Sequence, residues 1–295
     1  MSALRIIIAA MLFTLLMLAM QTVLVLGWSN GGYSNDPSNP VYGTHDWIAQ
    51  HALDWLPLQE KQYILDNLAA YLYGTELPDN KEAPDHIGDT SKHHVYYYAD
   101  GSIQENDSAV RALEEYHDAF DYAKAGDLVN ATKSLGIMTH YIADLASFGH
   151  VMGNSTVWGN ATQHDNYENY VKTRTNNYTD DFNTYLVWDG TLANISAYNA
   201  SLTLAYDTTF DVDGDLNCTW MEDNYNWSNS TFKDRCGESL NLAVNLIADV
   251  LHTFYLEAAP YVPEYPSTIA LSVFFSATIL VISCAKIRKR PHPST

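Results

Sequence analysis

Apolar residues recur at steps of three and four along most of the chain, which predicts amphipathic helices. The predicted helices cover residues 45–56, 58–74, 108–126, 128–153, 163–177 and 238–259. Thr44 is a candidate N-cap of the first helix, and Gly74 and Gly126 are candidate C-caps of the second and third. Residues 73–102 and 177–236 read as long polar loops, and strand-like alternation is scarce. The pattern therefore predicts an all-α bundle with long loops over one end.

Two longer apolar runs lie near the ends of the chain. The first follows Arg5 and ends in small residues, which is the layout of a signal peptide cleaved after Gly27; an uncleaved anchor is the alternative. The second, residues 267–285, contains no charge and at about 1.5 Å per residue spans a bilayer core. Basic residues follow it at once, which favours the cytoplasmic side. We therefore predict a single-pass protein of the cell membrane with a signal peptide (1–27), an extracellular domain (28–264), a transmembrane helix (265–285) and a cytoplasmic tail (286–295).

The predicted extracellular domain is strongly acidic. The chain has 35 Asp and Glu against 15 Lys and Arg, and its sequence places all of the acidic residues within 28–264. Such a surface repels long nucleic acids. N-glycans are expected because N-x-S/T sequons begin at Asn106, Asn130, Asn154, Asn160, Asn177, Asn194, Asn199, Asn217, Asn226 and Asn229.

The chain has three cysteines. Cys284 lies in the predicted transmembrane helix, whereas Cys218 and Cys236 lie in the predicted extracellular domain. In an oxidising compartment these two are expected to form a disulfide.

Histidine and acidic side chains recur at metal-ligand spacing in two helical segments. His140 and Asp144 are four residues apart, and so are His164 and Glu168. Each pair therefore shares one helix face and can reach one ion, and His150 lies between the pairs in sequence. Imidazole and carboxylate groups are ligands of Zn²⁺, whereas a thiolate site is not expected because no CxxC pair occurs. The sequence thus predicts a metal site.

This pattern resembles the zinc-dependent phospholipase C family, the helical three-zinc enzymes that include bacterial phospholipase C and the alpha-toxin catalytic domain. The family shows H-Y-x-x-D, then a histidine ten residues after the first, then H-x-x-x-E fourteen residues further on. Residues 140–168 have those spacings. The resemblance covers about residues 28–258 and implies a compact helical zinc-dependent phospholipase C-like domain. The pattern is also similar, more distantly, to zinc-dependent single-strand nucleases of the same fold.

The resemblance implies further ligands outside residues 140–168. The family's early G-T-H motif is matched by "GTHDWI" with His45, and its H-x-Y loop by "HVYYYADG" with His94. Its aspartate ahead of that loop is matched by Asp79 in "GTELPD". The mature family enzyme begins with a tryptophan whose amino group and carbonyl bind zinc, and Trp28 follows the predicted cleavage point. The alternatives to Asp79 and His94 are Asp85, Asp89, His93 and His86.

Three Zn²⁺ ions are implied by the resemblance, with the ligands Trp28, His45, Asp79, His94, His140, Asp144, His150, His164 and Glu168. Such ions would make the pocket cationic inside an acidic protein, so that it attracts phosphate. Zinc lowers the pKa of a bound water, and Asp79 is the expected general base. The expected reaction is zinc-dependent phosphodiester hydrolysis of phospholipase C type, which releases a phosphorylated head group from a phospholipid.

Two other functions remain open at the level of sequence. A nuclease or nucleotidase of the same fold would need an aromatic pocket for a base, and the acidic surface counts against long nucleic acid. A non-catalytic zinc-binding protein of the cell surface would need the same ligands but no general base.

Overall fold

The computed structural model describes residue 28, residues 33–81 and residues 83–263, and these residues form the predicted all-α fold. The described α-helices are α1 (Thr44–Ala52), α2 (Leu58–Leu65), α3 (Leu68–Glu76), α4 (Asp107–Lys124), α5 (Leu128–Asp144), α6 (His164–Lys172), α7 (Ala197–Phe210), α8 (Cys218–Asp223) and α9 (Ser230–Ala258). Short 3₁₀ turns cover Leu53–Trp55, Phe148–His150 and Asp181–Tyr185. A small antiparallel hairpin pairs β1 (Tyr96–Tyr97) with β2 (Ile103–Glu105). The predicted signal peptide and the predicted transmembrane helix and tail lie outside the described residues.

Helix α5 lies at the centre of the domain and packs mainly on α3 and α4. Two glycines allow α3 and α5 to approach closely. A Cβ atom on Gly136 would lie 2.0 Å from the carbonyl oxygen of Tyr71, and one on Gly74 would lie 2.2 Å from that of Lys133. Gly74 therefore lies inside α3 as a packing residue, and its predicted role as a C-cap is wrong. The close contact holds the second half of α3 against the middle of α5.

Two more predicted boundaries need correction. The predicted helix over 58–74 is two helices, because the chain turns at residues 66–67. Thr44 is the first residue of α1 rather than its N-cap. Gly43 occupies the N-cap position and donates its N–H to the Asp46 carboxylate at 2.9 Å, while the Thr44 hydroxyl contacts that of Thr175 at 2.8 Å. Gly126, by contrast, follows α4 with φ +80°, as a C-terminal glycine of this kind requires.

The predicted helix over 128–153 ends earlier, at Asp144. The N–H of Ser147 donates to the Asp144 carbonyl at 2.9 Å, and the N–H of His150 donates to the Ser147 carbonyl at 3.0 Å. A continuous helix would place His150 about 9 Å beyond Asp144 along the axis. The turn instead brings His150 back beside the end of α5.

Helix α7 lies in a segment that the sequence pattern predicts to be a loop. Polar Asn, Ser, Thr and Asp residues are spread around it, so no apolar stripe marks it in the sequence. The Ser196 side chain caps its first turn by accepting the N–H of Asn199 at 3.2 Å. Ser201 and Thr209 are buried because their hydroxyls donate to carbonyls four residues earlier. The N-cap and the packing of this helix on α4 and α9 therefore stabilise it, although its sequence lacks an apolar stripe.

Cys218 and Cys236 are both free thiols and both buried, in contrast to the predicted disulfide. Cys218 is the first residue of α8, whereas Cys236 lies in α9 with its thiol against the hydroxyl of Tyr167. Burial raises the pKa of each thiol to about 12. Neither sulfur is therefore a thiolate at neutral pH.

Helix α9 is long and apolar enough to cross a membrane by length and composition alone. However, 67% of its most apolar window is buried inside the domain. It packs on α1, α5 and α7, which is the role of a core helix. It is also distinct from the predicted transmembrane segment, which lies further along the chain.

Candidate metal centre

The candidate ligands come from separate elements and meet at the C-terminal end of α5. Helix α5 supplies His140 and Asp144, and the 3₁₀ turn after it supplies His150. The first turn of α1 supplies His45, and the turn after α3 supplies Asp79. Helix α6 adds His164 and Glu168 on one face, one helical turn apart. Sequence-distant segments thus converge on one small volume.

Asp144 is the centre of this convergence. Its Oδ1 atom lies 3.3 Å from His45 Nε2 and 3.8 Å from His150 Nε2. Its Oδ2 atom lies 2.8 Å from His93 Nδ1 and 3.2 Å from His140 Nε2. All five side chains are buried. A carboxylate among four imidazoles is suited to bridging bound cations.

Three groups of side chains among the described residues could each hold a metal ion, with ligand atoms within 4.8 Å of one another. The groups are His45, Asp79 and His140; His93, His140 and Asp144; and His150, His164 and Glu168. All of these residues are buried. The predicted pairs of α5 and α6 therefore fall into neighbouring groups rather than one, joined through Asp144 and His150.

Several buried polar atoms of the cluster have no hydrogen-bond partner. These atoms are both ring nitrogens of His45 and of His150, Nε2 of His93, Oδ1 of Asp79 and Oδ2 of Asp144. Although Asp144 Oδ2 and His93 Nδ1 are close, their orientation does not make a hydrogen bond. An unpaired buried polar atom is unfavourable unless another partner satisfies it. Nitrogen and carboxylate donors without thiolates are the set that Zn²⁺ takes, so the residues fit this ion.

His93, rather than His94, lies in the cluster. The ring of His94 is half-buried and packs on the rings of His150 and Tyr96, with centroids 5.2 and 5.3 Å away. Burial, with His150 nearby, lowers the pKa of His94 to about 3. Residues 93–97 alternate between buried and half-buried, which places His93 and Val95 on the inner face. This alternation of two in "HHVYY" is a signal that could have favoured His93 over His94.

The other open alternatives lie outside the cluster. Asp85 pairs with Lys133 at 2.6 Å. Asp89 pairs with Arg111 at 2.7 Å and accepts the hydroxyl of Tyr141 at 2.6 Å. His86 is absent from the groups of potential ligands within the described chain.

Replacing His93 with alanine is expected to lower zinc affinity by more than about 100-fold, because even loss of an outer-shell partner lowers metal affinity 10- to 100-fold. The matched variant His94→Ala should keep the zinc content of the parent. Inductively coupled plasma mass spectrometry of the dialysed proteins measures zinc content. Competition with a chromophoric chelator measures zinc affinity. If His94→Ala lowered zinc affinity and His93→Ala did not, the ligand would be His94.

Without a bound metal ion, the pKa values of the imidazoles on α1 and α5 are shifted in opposite directions. Burial, with His140 beside it, lowers the pKa of His45 to about 4. Burial alone would also lower the pKa of His140, but Asp144 outweighs that effect and raises it to about 9. Burial alone would raise the pKa of Asp144, but the imidazoles of His140 and His150 hold it well below its usual range. The Thr75 carbonyl, 2.7 Å from His140 Nδ1, holds the ring so that Nε2 faces Asp144.

Trp28 is fully buried against the same carboxylate. Its backbone nitrogen lies 3.3 Å from Asp144 Oδ1, and its indole N–H donates to the Ala143 carbonyl at 2.8 Å. The indole ring also contacts Tyr167, with ring centroids 5.4 Å apart. The nitrogen of Trp28, the residue predicted to begin the mature chain, therefore lies beside the cluster of candidate ligands.

Glu76 holds the segments around the cluster together. Its carboxylate accepts the backbone N–H groups of Ser34 at 2.8 Å and of Val41 at 2.7 Å. It also accepts the side-chain amide of Asn80, which in turn donates to the Ser34 carbonyl at 2.7 Å. The N-terminal loop is thus tied to the turn that carries Asp79. The sequence pattern does not single out Glu76, because a lone glutamate near a helix end is common.

The ring of His164 lies directly over Gly149. A Cβ atom on Gly149 would be 2.1 Å from His164 Cδ2, so a side chain cannot fit there without moving the ring. His164 Nε2 lies 2.5 Å from Glu168 Oε1, and His150 Nε2 lies 3.3 Å from the same oxygen. The glycine therefore makes room for this group of ligands.

Comparisons with known proteins also indicate a zinc-binding helical domain. The sequence profile of a family described as zinc dependent phospholipase C matches residues 44–238. No curated protein gives a match. Among solved structures, alpha-toxin from Clostridium absonum is similar, with a TM-score of 0.50, 17% identity, and coverage of 77% of this chain and 66% of the toxin. Alpha-toxin from an avian strain of Clostridium perfringens gives 0.48, 15%, 77% and 66%. The chain thus spans 66% of the length of each toxin, and the first likeness shows a shared fold.

Proposed function

The chain belongs to the zinc dependent phospholipase C family, and from this premise we propose that it hydrolyses phosphodiesters in the manner of a phospholipase C. The products would be a phosphomonoester, such as a phosphorylated head group, and a free alcohol. The observation that carries the proposal is the set of buried, unpaired imidazole and carboxylate atoms around Asp144. A protein that used these groups only for packing would leave them unfavourably desolvated.

Three Zn²⁺ ions are proposed, shared among the three groups of ligands; His140 belongs to two groups, but its Nδ1 contacts the Thr75 carbonyl, so its Nε2 can serve only one ion. The residues that would hold them are Trp28, His45, Asp79, His93, His140, Asp144, His150, His164 and Glu168. When bound, Zn²⁺ polarises phosphoryl oxygens and lowers the pKa of water toward neutrality. The cluster would then be a cationic pocket within an acidic protein, which favours an anionic diester.

Asp79 is the proposed general base. Its side chain is buried, and its Oδ1 atom has no hydrogen-bond partner. This oxygen can therefore accept a proton from the water that attacks phosphorus, while the bond from phosphorus to the alcohol oxygen breaks. The side-chain amide of Asn80, the next residue, donates to the Ser34 carbonyl and to the Glu76 carboxylate, which keeps the turn of Asp79 in place.

Tyr33 is a proposed hydrogen-bond donor to the substrate. Ser34, the next residue, is fixed by Glu76 and Asn80, which places Tyr33 beside the turn of Asp79. Burial, with Asp79 and Asp144 nearby, raises the pKa of the Tyr33 hydroxyl above its ordinary value. The hydroxyl therefore stays protonated and can donate to a phosphoryl oxygen.

Cleavage after Gly27 is proposed to complete the ligand set. As part of a peptide bond, the nitrogen of Trp28 has a delocalised lone pair and is a poor ligand. Cleavage would turn it into an amine at a position already 3.3 Å from Asp144 Oδ1. The indole contacts with Ala143 and Tyr167 would hold that amine in place.

The domain is proposed to lie outside the cell membrane and to carry N-glycans at accessible sequons. The hydroxyl residues of the sequons at Asn106, Asn130 and Asn199 are buried, so a transferase could not reach them in the folded domain. The sequons with exposed asparagines begin at Asn154, Asn160, Asn177, Asn194, Asn199 and Asn226. Apart from Asn199, these are the expected positions of the glycans.

A panel of substrates tests the proposed function. The full chain, loaded with zinc, should cleave a water-soluble short-chain phosphocholine diester but neither single-stranded DNA nor a 3′-nucleotide. Because Asp79 is also a proposed ligand, Asp79→Asn should lose at most about one zinc ion, and it should lower kcat by about 10²- to 10⁴-fold, which is the usual contribution of a general base. The control Asp85→Asn, which alters a carboxylate paired with Lys133, should leave kcat unchanged.

The outcomes of this panel are distinct. Cleavage of DNA alone would replace the lipase proposal by a nuclease. Full zinc content without turnover of any substrate would indicate a binding protein. An unaffected rate in Asp79→Asn would transfer the role of base to another residue.

A further inference from the structure

Helix α9 begins beside the metal cluster and ends far from it. Near its start, the ring of Phe232 packs edge-on against Tyr167, and the Cys236 thiol contacts the Tyr167 hydroxyl. Tyr167 directly precedes the candidate ligand Glu168. Ala258, the last residue of α9, follows Cys236 by 22 residues, a rise of about 33 Å in an α-helix. The described chain therefore leaves the domain at the end remote from the cluster.

Helix α4 independently indicates that the point where the chain leaves the domain is far from the cluster. At its start, the Ser108 hydroxyl donates to the Tyr141 carbonyl at 2.7 Å, next to the ligand His140. Towards its end, the ring of Phe120 contacts that of Tyr261, with centroids 5.8 Å apart. The 12 residues between Ser108 and Phe120 correspond to about 18 Å of helix. The point of exit and the metal cluster thus lie at opposite ends of the bundle.

Exposed apolar side chains surround the point of exit. We define the exit face as Tyr122, Val129, Leu256 and Tyr261, which lie around the α4–α5 turn and the end of α9. Their exposed fractions are 41%, 55%, 49% and 40%. Tyrosine is enriched where protein meets the interface of a bilayer, and contiguous exposed apolar side chains can mark a membrane contact.

Only a short stretch separates the exit face from the apolar run of the sequence. The described chain ends at Pro263, and the charge-free run begins at residue 267, so the connection can reach no more than about 14 Å. Anionic lipid surfaces attract clusters of Lys and Arg. The chain has 35 acidic against 15 basic residues, so its net charge does not favour contact with such a surface through the rest of the domain. The short connection therefore favours the exit face as the part of the domain next to the membrane.

On the basis of the proposed function and of the membrane segment predicted at residues 265–285, we propose that the exit face rests on the membrane and that the metal cluster faces away from it. The cluster then lies about 18–33 Å above the bilayer surface, the range given by the lengths of the two helices. Its substrates are phosphodiesters that arrive from the aqueous side, either dissolved or displayed on an opposing surface. Lipids of the anchoring membrane are out of reach.

Reconstituted full chain in vesicles tests this orientation. The first sample carries a head-group-labelled phospholipid in the same vesicles as the protein, diluted so that vesicles rarely collide. The second mixes unlabelled proteovesicles with labelled protein-free vesicles, and the third offers the soluble short-chain diester. Attachment normally favours a reaction on the same surface by raising effective concentration. Here we expect the opposite: lipid in the protein's own vesicles (first sample) should be hydrolysed at least about tenfold more slowly than lipid in the separate vesicles (second sample).

Two insertions after Pro263 provide the matched controls. A flexible Gly/Ser linker of about 40 residues has a root-mean-square length of roughly 35 Å and should restore hydrolysis in the same vesicles. A helical linker with the same number of residues is semi-rigid and should not restore it.

The outcomes separate this proposal from the proposed function. Cleavage of the soluble diester and of the opposing vesicles, with the same-vesicle lipid spared, supports the orientation. Cleavage of the soluble diester with both lipid samples spared lacks the expected difference between the samples and overturns the proposal. Cleavage in the same vesicles at a rate equal to that in the mixture overturns the orientation and keeps the function. Failure of the chain to stay with the vesicles also overturns it. Inactivity towards all three substrates overturns the function itself.

Discussion

Asp144→Asn is expected to reduce zinc content and to lower kcat/KM by more than about 100-fold, since even outer-shell changes lower metal affinity or activity 10- to 100-fold. The carboxylate lies within 3.8 Å of imidazole nitrogens from four histidines, so its loss affects more than one group of ligands. Asparagine keeps the shape but removes the charge that offsets the cations and stabilises protonated His140. In the metal-free protein, the pKa of His140 should therefore fall below its value of about 9.

Three measurements check this prediction. Plasma mass spectrometry gives zinc per chain, the soluble diester gives kcat/KM, and NMR titration of the metal-free protein gives the imidazole pKa. Asp89→Asn is the matched control, because Asp89 is a nearby carboxylate bound to Arg111 and Tyr141 instead of the cluster. Equal zinc content in both variants would show that Asp144 bridges no ion.

Gly149→Ala is expected to reduce activity nearly as much, although glycine has no side chain to take part in chemistry. The added Cβ atom would be 2.1 Å from His164 Cδ2, which is far inside van der Waals contact. The ring must move, and its contact with Glu168 is then lost. Gly149 has no positive φ, so the effect comes from this contact and not from backbone strain. We expect the ion of the His150, His164 and Glu168 group to be lost, with activity lowered by about 100-fold or more.

Gly153→Ala is the control for Gly149→Ala. Its Cβ atom would meet Tyr96 Oη at 2.9 Å, and this end of a flexible side chain can shift. Zinc per chain and kcat/KM of the two variants should therefore diverge, with only Gly149→Ala losing about one ion relative to the parent. Unchanged zinc in Gly149→Ala would show that His164 is not a ligand.

The pairs of candidate metal ligands could be predicted from the sequence where their geometry is local. His140 with Asp144, and His164 with Glu168, share helix faces because residues four apart do so in any α-helix. The choice between His93 and His94 was harder, because it depends on which face of an extended segment packs on the chain near His150. That packing is set by a backbone hydrogen bond from Val95 to the His150 carbonyl, between residues far apart in sequence.

The fold class was also predictable, whereas several boundaries were not. The apolar periodicity of α4, α5 and α9 is strong enough to mark them as core helices. Helix α7 lacks such a stripe, and its polar residues are buried through hydrogen bonds that only the folded backbone offers. The break after Asp144 could not be predicted from periodicity either. It brings His150 back beside Asp144, whereas a continued helix would carry His150 away.

The long sequence separations within the metal centre have a consequence for stability. Trp28 and Asp144 are 116 residues apart, and His93 and His140 are 47 apart, yet each pair lies in contact. An ion held by such residues would act as a cross-link, restricting the unfolded chain as a covalent bond between the same segments does. Cys218 and Cys236 provide no bond of that kind as free thiols. Zinc would therefore take the place of disulfides in this domain, and its resistance to unfolding would depend on the supply of metal rather than on the oxidation state of its surroundings.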